Sequence, residues 1–102
     1  MKKRKVLVFD PVYTELSEAV NYYESKVAGL GFKFYEAFEL ALKTIALNAN
    51  GYEKKYKSNR QVILKKFPFI LIFYVRENSV LVSKLIHIRK NPRVRYTKRK
   101  NT

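Results

Sequence analysis

The first quarter of the chain holds a short apolar run followed by apolar residues at helical spacing. Residues 5–9, KVLVF, stop at Asp10-Pro11, which predicts a short strand. Asp10 is a good N-cap, and Pro11 suits the first helical position, where its missing N–H costs nothing. From Leu16 onward apolar residues recur every three or four positions, so we expect a helix that runs to about Ala28.

A second helical stripe follows the Gly29-Leu30-Gly31 segment. It ends at the NANG turn of residues 48–51, and its apolar residues are Phe34, Phe38, Ala41, Leu42 and Ile45. Two helices joined by so short a connection form an antiparallel hairpin. Glu39 and Lys43, spaced i,i+4, indicate that the far side of this helix faces solvent.

After Arg60 the period changes from helical to strand-like. Three segments rich in β-branched and aromatic residues follow, namely RQVILKKF, FILIFYVR and SVLVSKLIHIR. Phe67-Pro68-Phe69 separates the first two, and Arg76-Glu77-Asn78 supplies a tight turn before the third. The order strand, helix, helix and three consecutive strands predicts an α+β domain, an antiparallel sheet with a two-helix hairpin on one face.

Length and composition agree with a small folded domain. The 102 residues suffice for one domain, and an apolar fraction of 47% with eight tyrosines and seven phenylalanines supports a packed core. The absence of cysteine excludes disulfides and thiolate metal sites and fits the cytoplasm. The longest apolar run, residues 67–75, is far shorter than the ~20 residues of a membrane helix, so we expect no membrane association.

Charge is unevenly distributed along the chain. The net charge is +14, which attracts nucleic acid, anionic membranes or an acidic protein partner. Residues 11–50 are nearly balanced, whereas the cations concentrate in the initial KKRK, in residues 54–66 and in the final residues. Beyond Pro92 only Val94 and Tyr96 are apolar, so we divide the chain into a folded domain, residues 1–92, and a basic tail, residues 93–102, that we expect to be mobile.

Metal-dependent catalysis has no support in the residue pattern. It requires converging carboxylates or histidines, but the chain has one histidine, and most of its eight acidic residues fall on the two predicted helices. A P-loop, a dinucleotide-binding fingerprint and a zinc-ligand spacing are also missing from the sequence. We therefore expect neither a metal nor a cofactor.

Metal-free RNA cleavage is the catalytic chemistry for which candidate residues exist. It requires a base for the 2′-hydroxyl proton, cations for the phosphorane and an acid for the leaving oxygen. If the protein is a nuclease, the candidates are His87, Arg89, Arg60 and Tyr96. His87 and Arg89 fall on one face of the last strand about 6–7 Å apart, which suits one phosphate. The alternative is that His87 only packs near a strand end.

The alternation of side chains along strands gives further expectations. Ile86 and Ile88 should face the helical hairpin, while His87 and Arg89 point away from it. Lys65 and Lys66 are consecutive and should point to opposite faces. If the protein acts by binding, the expected contact surface consists of Lys65, Lys66, Lys90, Arg93 and Arg95.

Several residues in a fixed order carry a resemblance to a known family. The chain resembles the RelE/ParE superfamily of bacterial toxins, in particular its ParE-like, plasmid-stabilisation branch, over about residues 10–93. The landmarks are Tyr23, Glu24, Gly29-Leu30-Gly31, Phe34, Arg60, Phe67-Pro68-Phe69, Tyr74, His87 and Pro92. The resemblance implies the α+β fold already predicted, and a growth-inhibiting toxin neutralised by a cognate antitoxin encoded beside it.

The resemblance offers two cellular targets. RelE-like members cleave mRNA on the ribosome with basic residues and a C-terminal tyrosine, whereas ParE-like members inhibit DNA gyrase. In this chain Ile70 occupies the position of the RelE-type strand arginine, and Gln61 and Ile63 occupy those of the paired lysines. Lys90 or Arg89, with Tyr96, would stand in for the C-terminal arginine and tyrosine. This departure favours the ParE-like, non-catalytic interpretation.

Three hypotheses follow. The first is a toxin that binds a topoisomerase such as DNA gyrase through its basic face. The second is a ribosome-dependent, metal-free mRNA endonuclease. The third is a non-toxic, basic nucleic-acid-binding module, which would expose aromatic side chains on a sheet face to stack bases, whereas most aromatic residues here lie in runs that indicate burial.

Overall fold

Two helices cover one face of a five-stranded sheet in the computed structural model, which describes residues 3–89. The elements are β1 (Lys5–Val8), α1 (Asp10–Lys26), α2 (Leu30–Asn48), a 3-10 turn (Ala49–Gly51), β2 (Lys54–Tyr56), β3 (Asn59–Ile63), β4 (Phe69–Arg76) and β5 (Ser79–His87). This is the predicted α+β arrangement, with β2 as an additional short strand. The expected mobile tail, residues 93–102, lies outside the described residues.

The sheet is mixed. Its strand order is β1-β5-β4-β3-β2, and the pairs β2–β3, β3–β4 and β4–β5 are antiparallel, as predicted for the last three strands. β1 instead runs parallel to β5, with Val6 opposite Val80 and Val8 opposite Val82. The connection between these two parallel strands contains the helical hairpin and the other three strands, so it is far longer than the dozen or so residues that a parallel pair requires.

Helix α1 begins one residue earlier than the sequence indicated. Phe9 is the N-cap, and its carbonyl accepts a hydrogen bond from the Val12 N–H at 2.9 Å. Asp10 therefore lies inside the first turn, where its carboxylate interacts favourably with the positive end of the helix dipole. The expected capping role of Asp10 was wrong, but the start of a helix at this point was correct.

The junction between the helices is held by one carboxylate. Glu24 accepts hydrogen bonds from the N–H groups of Gly29, at 2.9 Å, and Gly31, at 3.0 Å. Gly29 has φ +88°, a conformation that favours glycine, and a Cβ atom on Gly31 would lie 2.6 Å from the Val20 carbonyl oxygen. Glu24, Gly29 and Gly31, which are landmarks of the resemblance, therefore hold the junction between the two helices.

The main core lies between the hairpin and the sheet. Its largest fully buried side chains include Phe34, Phe38, Ile45, Leu71, Phe73, Val80, Val82 and Leu85. A second, smaller cluster consists of Ile70, Ile72 and Ile86, and the strand alternation places it on the opposite face of the sheet, here called the outer face.

A β-bulge changes which side chains of β5 face the helices. Phe73 pairs with Val82 and Ile72 pairs with Lys84, so Ser83 is an extra residue in the ladder. Val82 and Leu85 both belong to the main core because this insertion shifts the alternation by one position. The expected orientation was wrong: Ile86 lies on the outer face, and His87 lies on the helix side.

Candidate binding surface at one end of the sheet

The turn between β3 and β4 and the end of β5 lie side by side at one end of the sheet. Phe69 pairs with His87, and the Ile88 N–H donates to the Pro68 carbonyl oxygen at 2.8 Å. The side chains that define this basic end are Lys65, Lys66, His87 and Arg89. Both lysines and the arginine are exposed, and His87 is half-buried.

The two lysines occupy a turn rather than a strand. The Leu64 N–H donates to the Phe69 carbonyl oxygen at 2.9 Å, which closes the turn, and Lys66 has φ +71°. A non-glycine residue in this conformation is strained, and Lys57 and Glu77, in two other tight turns, share it. The expectation that Lys65 and Lys66 point to opposite faces was wrong, because both line the same groove beside α2.

His87 lies in a shallow cleft between β5 and α1. Its ring packs edge-to-face on Phe69 at 5.2 Å, and its Nδ1 accepts a hydrogen bond from the Arg89 N–H at 3.1 Å. Glu15 and Glu18 line the same cleft, and the Glu15 carboxylate accepts a hydrogen bond from the Leu85 N–H at 3.2 Å. The imidazole is thus positioned by packing and by the backbone, with carboxylates nearby.

Arg60 lies far from His87 and makes structural contacts. Its guanidinium donates to the Tyr52 carbonyl oxygen and to the Asn50 side chain, and its Nε atom is buried. Arg60 pairs with Phe73, four residues along β4 from Phe69, so the two candidates are separated by about 14 Å along the strand direction alone. The structure brings Arg89 next to His87 but does not bring Arg60 there.

The remaining sequence candidates fall beyond the described part of the chain. Tyr96, Lys90, Arg93 and Arg95 lie outside residues 3–89. Of the resemblance positions on the strands, Ile70 is fully buried on the outer face, Gln61 is half-buried and Ile63 is 57% exposed.

A groove between α2 and the β3–β4 turn was missed at the sequence level. Its volume is about 630 Å³, and this α2 groove is lined by Tyr23, Leu30, Lys33, Glu36, Ala37, Leu40, Lys65, Lys66, Phe67 and Pro68. Leu40 is 51% exposed although it is apolar. The available signal was that Leu40 and Leu47 are spaced seven residues apart, outside the buried stripe of the helix.

Aromatic packing forms the floor of the α2 groove. Tyr23 stacks on Phe34 at 5.4 Å and meets Phe67 edge-to-face at 5.0 Å. Burial raises the pKa of the Tyr23 phenol above its usual value of 10.0, and the neighbouring Tyr22 adds to the shift. The groove is therefore apolar at its base and carries lysines and one carboxylate at its rim.

Residues 3–89 contain no group of three or more histidine, aspartate or glutamate side chains that could hold a metal ion. Within the same stretch, neither helix is long and apolar enough to cross a membrane.

Comparison with solved structures reveals the fold. A chain of the chromosomal ParDE TA system from P. aeruginosa superposes with a TM-score of 0.70 and 14% sequence identity. The match covers 83% of this chain and 96% of that chain. No protein-family model and no curated protein sequence matches. The likeness confirms that this chain has the ParE-like α+β fold that its sequence resemblance implied.

Proposed function

We propose that this chain is the toxin of a type II toxin–antitoxin pair, that a cognate acidic antitoxin neutralises it, and that it arrests growth in the cytoplasm by binding a topoisomerase such as DNA gyrase. The observation that carries the proposal is the fold likeness to a chain of a ParDE toxin–antitoxin system over nearly that chain's whole length. This chain's own residues support the antitoxin partner and the mode of action.

The α2 groove supports an amphipathic, acidic partner. Its floor is apolar, with Leu40 exposed, and Lys33, Lys65 and Lys66 stand at its rim. An amphipathic helix binds such a groove by inserting apolar residues spaced three or four apart. Acidic residues beside those anchors would be steered by a +14 protein and would meet the rim lysines.

Action by binding is supported by the separation of the catalytic candidates. Arg60 is engaged by Tyr52 and Asn50 at the other end of the sheet, so it is unavailable to a phosphate held at His87. An isoleucine, Ile70, stands where the nuclease pattern requires a strand arginine. The basic end then serves as a contact surface, to which Lys90, Arg93 and Arg95 would add charge.

The alternative function, a ribosome-dependent mRNA endonuclease, has one observation in its favour. His87 and Arg89 are adjacent and accessible, and the carboxylates of Glu15 and Glu18 share the histidine's cleft. A carboxylate near the imidazole would supply the second proton carrier that cleavage requires. A toxin that binds a topoisomerase causes DNA damage, whereas an endonuclease cleaves mRNA. Experiments in cells can therefore distinguish the two functions.

The test is induced expression in bacteria, alone and together with the product of the neighbouring gene. We expect growth arrest with a DNA-damage response and intact mRNA, and rescue by an acidic neighbouring product. Prompt mRNA cleavage without a DNA-damage response would support the endonuclease instead. Normal growth on expression of a folded protein would overturn the toxin proposal.

The antitoxin site is tested by a matched pair of substitutions on α2. Leu40→Lys places a charge in the groove, whereas Phe32→Lys changes an even more exposed apolar residue, 63% exposed, that does not line it. We expect Leu40→Lys to abolish co-purification with the neighbouring product and Phe32→Lys to leave it unchanged. Equal effects of both substitutions would place the antitoxin elsewhere.

A further inference from the structure

A row of side chains, one from each strand, crosses the outer face of the sheet away from the basic end. In the order β2, β3, β4, β5 and β1, its members are Tyr56, Asn59, Tyr74, Leu81 and Leu7. Tyr56 pairs with Asn59, and Leu81 pairs with both Tyr74 and Leu7. Asn59 and Tyr74 are neighbours because the next pair in the ladder is Arg60 with Phe73. Neighbouring strands lie about 4.8 Å apart, so this tyrosine row is about 19 Å long.

Alternation along the strands places the tyrosine row on the outer face and leaves it accessible. Phe73 belongs to the main core, so the next side chain of β4, Tyr74, points to the other face. The two ends of the row are open, with Tyr56 48% and Leu7 41% exposed, and the three members between them are half-buried. Two phenol rings therefore lie on an open sheet face, although most aromatic residues of the chain are in runs that indicated burial.

Each ring of the tyrosine row has a cation beside it. The Lys57 Nζ atom lies 5.4 Å from the centre of the Tyr56 ring, and the guanidinium carbon of Arg76 lies 5.4 Å from the centre of the Tyr74 ring. Arg76 and Lys5 share the next row across the sheet, since both pair with the same residue of β5. All three cations are exposed. A line of cations thus runs beside the line of rings.

The strands themselves carry no negative charge. β1 to β5 contain no aspartate or glutamate, and of the eight acidic residues four lie on α1 and two on α2. The two others lie beside strand ends: Glu53 forms an ion pair with Lys55 at 3.9 Å, and Glu77 occupies the exposed turn between β4 and β5. The outer face therefore attracts a polyanion, whereas the helices hold most of the protein's carboxylates.

Rings flanked by cations suit a single strand of nucleic acid. Unpaired bases stack on aromatic side chains, while lysine and arginine meet the phosphates that join them. A duplex does not match the row, because its bases are already stacked on one another. An acidic protein segment would use the cations but would not require the two rings.

We propose that the tyrosine row binds single-stranded nucleic acid, with bases stacked on Tyr56 and Tyr74 and with phosphates on the adjacent line of cations. The row contacts bases and phosphates, which DNA and RNA share. The site is separate from the basic end, because Tyr74 lies five residues along β4, about 17 Å, from Phe69, the partner of His87. It goes beyond the proposed toxin function and does not depend on it.

The test uses uncharged substitutions in the full chain, which leave the electrostatic attraction of the +14 protein unchanged. Tyr56→Ala removes a ring from the row, Tyr56→Phe keeps it, and Tyr13→Ala removes a 52% exposed ring from α1. Affinities for oligothymidylate and oligouridylate are measured over a range of salt concentrations. We expect Tyr56→Ala to weaken binding about five-fold or more without changing the salt slope, and the two other variants to bind like the unsubstituted protein.

The two oligonucleotides identify the strand that the row takes, since a loss with only one of them supports the site and names its ligand as DNA or RNA. Unchanged affinity of Tyr56→Ala for both, or an equal loss in Tyr13→Ala, would overturn the proposal. An equal loss of affinity for a duplex of the same length would contradict stacking of unpaired bases. If Tyr56→Ala instead loses only the neighbouring gene product, the row binds a protein and the proposal is wrong.

Fluorescence gives a direct measurement of stacking, because the chain contains no tryptophan. In Tyr56→Trp, the single indole should be quenched when the oligonucleotide binds, whereas the indole of Tyr13→Trp should not. Quenching of neither reporter, or equal quenching of both, would contradict a site at the tyrosine row.

Discussion

The two ends of the sheet both carry arginine or lysine, but they use these cations differently. At one end Arg60 is half-buried, and its guanidinium holds the segment after α2 through Tyr52 and Asn50. At the basic end, Lys65, Lys66 and Arg89 project into solvent from a turn and a strand end. The same residue types are therefore structural at one end and available to a partner at the other, which their sequence context alone did not reveal.

The largest expected difference between the two ends is in how much an alanine substitution lowers the free energy of unfolding. Arg60→Ala removes a part-buried hydrogen bond from a charged donor to the Tyr52 carbonyl oxygen and an exposed one to Asn50, so we expect a loss of about 2–3 kcal/mol of unfolding free energy. Lys65→Ala, at an exposed position, should change it by less than about 0.5 kcal/mol. Urea unfolding measures both. Similar losses of unfolding free energy in the two variants would show that the cations at the two ends do not differ in structural role.

The next prediction uses the salt dependence of RNA binding to compare the lysines of the basic end with lysines on the helices. In Lys65→Gln/Lys66→Gln, the slope of log affinity for single-stranded RNA against log salt should fall by about 1.4, since each phosphate contact contributes about 0.7. The matched control, Lys26→Gln/Lys43→Gln, removes the same charge from the helices and should change the slope little. Equal slopes for the two double variants would mean that only net charge matters.

A smaller effect arises from the strained turn. Glycine tolerates φ +71° without the penalty of a side chain, so Lys66→Gly should stabilise the domain by about 1 kcal/mol. Lys65→Gly, whose φ is not in the left-handed region, should give no such gain. Thermal unfolding compares them, and stabilisation by both or by neither would show that strain at Lys66 is unimportant.

The smallest effect is expected at alkaline pH. Because the folded-state pKa of Tyr23 is raised above 10.0, the fold favours the neutral phenol. The stability from this shift is fully present below about pH 10 and is lost as the pH rises from there through the folded-state pKa. Tyr23→Phe should reduce the decline in the urea midpoint above about pH 10. If the urea midpoint of Tyr23→Phe falls as steeply with pH as that of the unsubstituted protein, other titrating groups cause the fall.

Strong local patterns made most of the fold predictable. The helical stripes predicted the hairpin, and the β-branched runs predicted β4 and β5 close to their observed bounds, whereas the predicted first run, residues 60–67, extends four residues beyond the end of β3 at Ile63. The three residues of β2, Lys54–Tyr56, are all exposed, so no apolar pattern marks them. The parallel pairing of β1 with β5 depends on contacts between residues distant in sequence, which local periodicity does not encode.

The site was less predictable because single residues decide it. The extra residue at Ser83 reverses the alternation, so His87 lies on the side opposite to the one expected. Lys65 and Lys66 share a groove because the strand ends before them at Ile63. Arg60 pairs with a backbone carbonyl that follows α2, and nothing in its immediate sequence indicates that partner.

The most direct measurement is the toxicity of a His87→Gln variant in cells, with binding to the neighbouring gene product as the control for folding. Proton transfer by His87 would contribute about 10²–10⁴-fold to cleavage, so a nuclease would lose nearly all its toxicity. We predict that growth arrest persists, because the proposed toxin acts by binding. A variant that folds and binds its antitoxin but is harmless would contradict this and establish catalysis at His87.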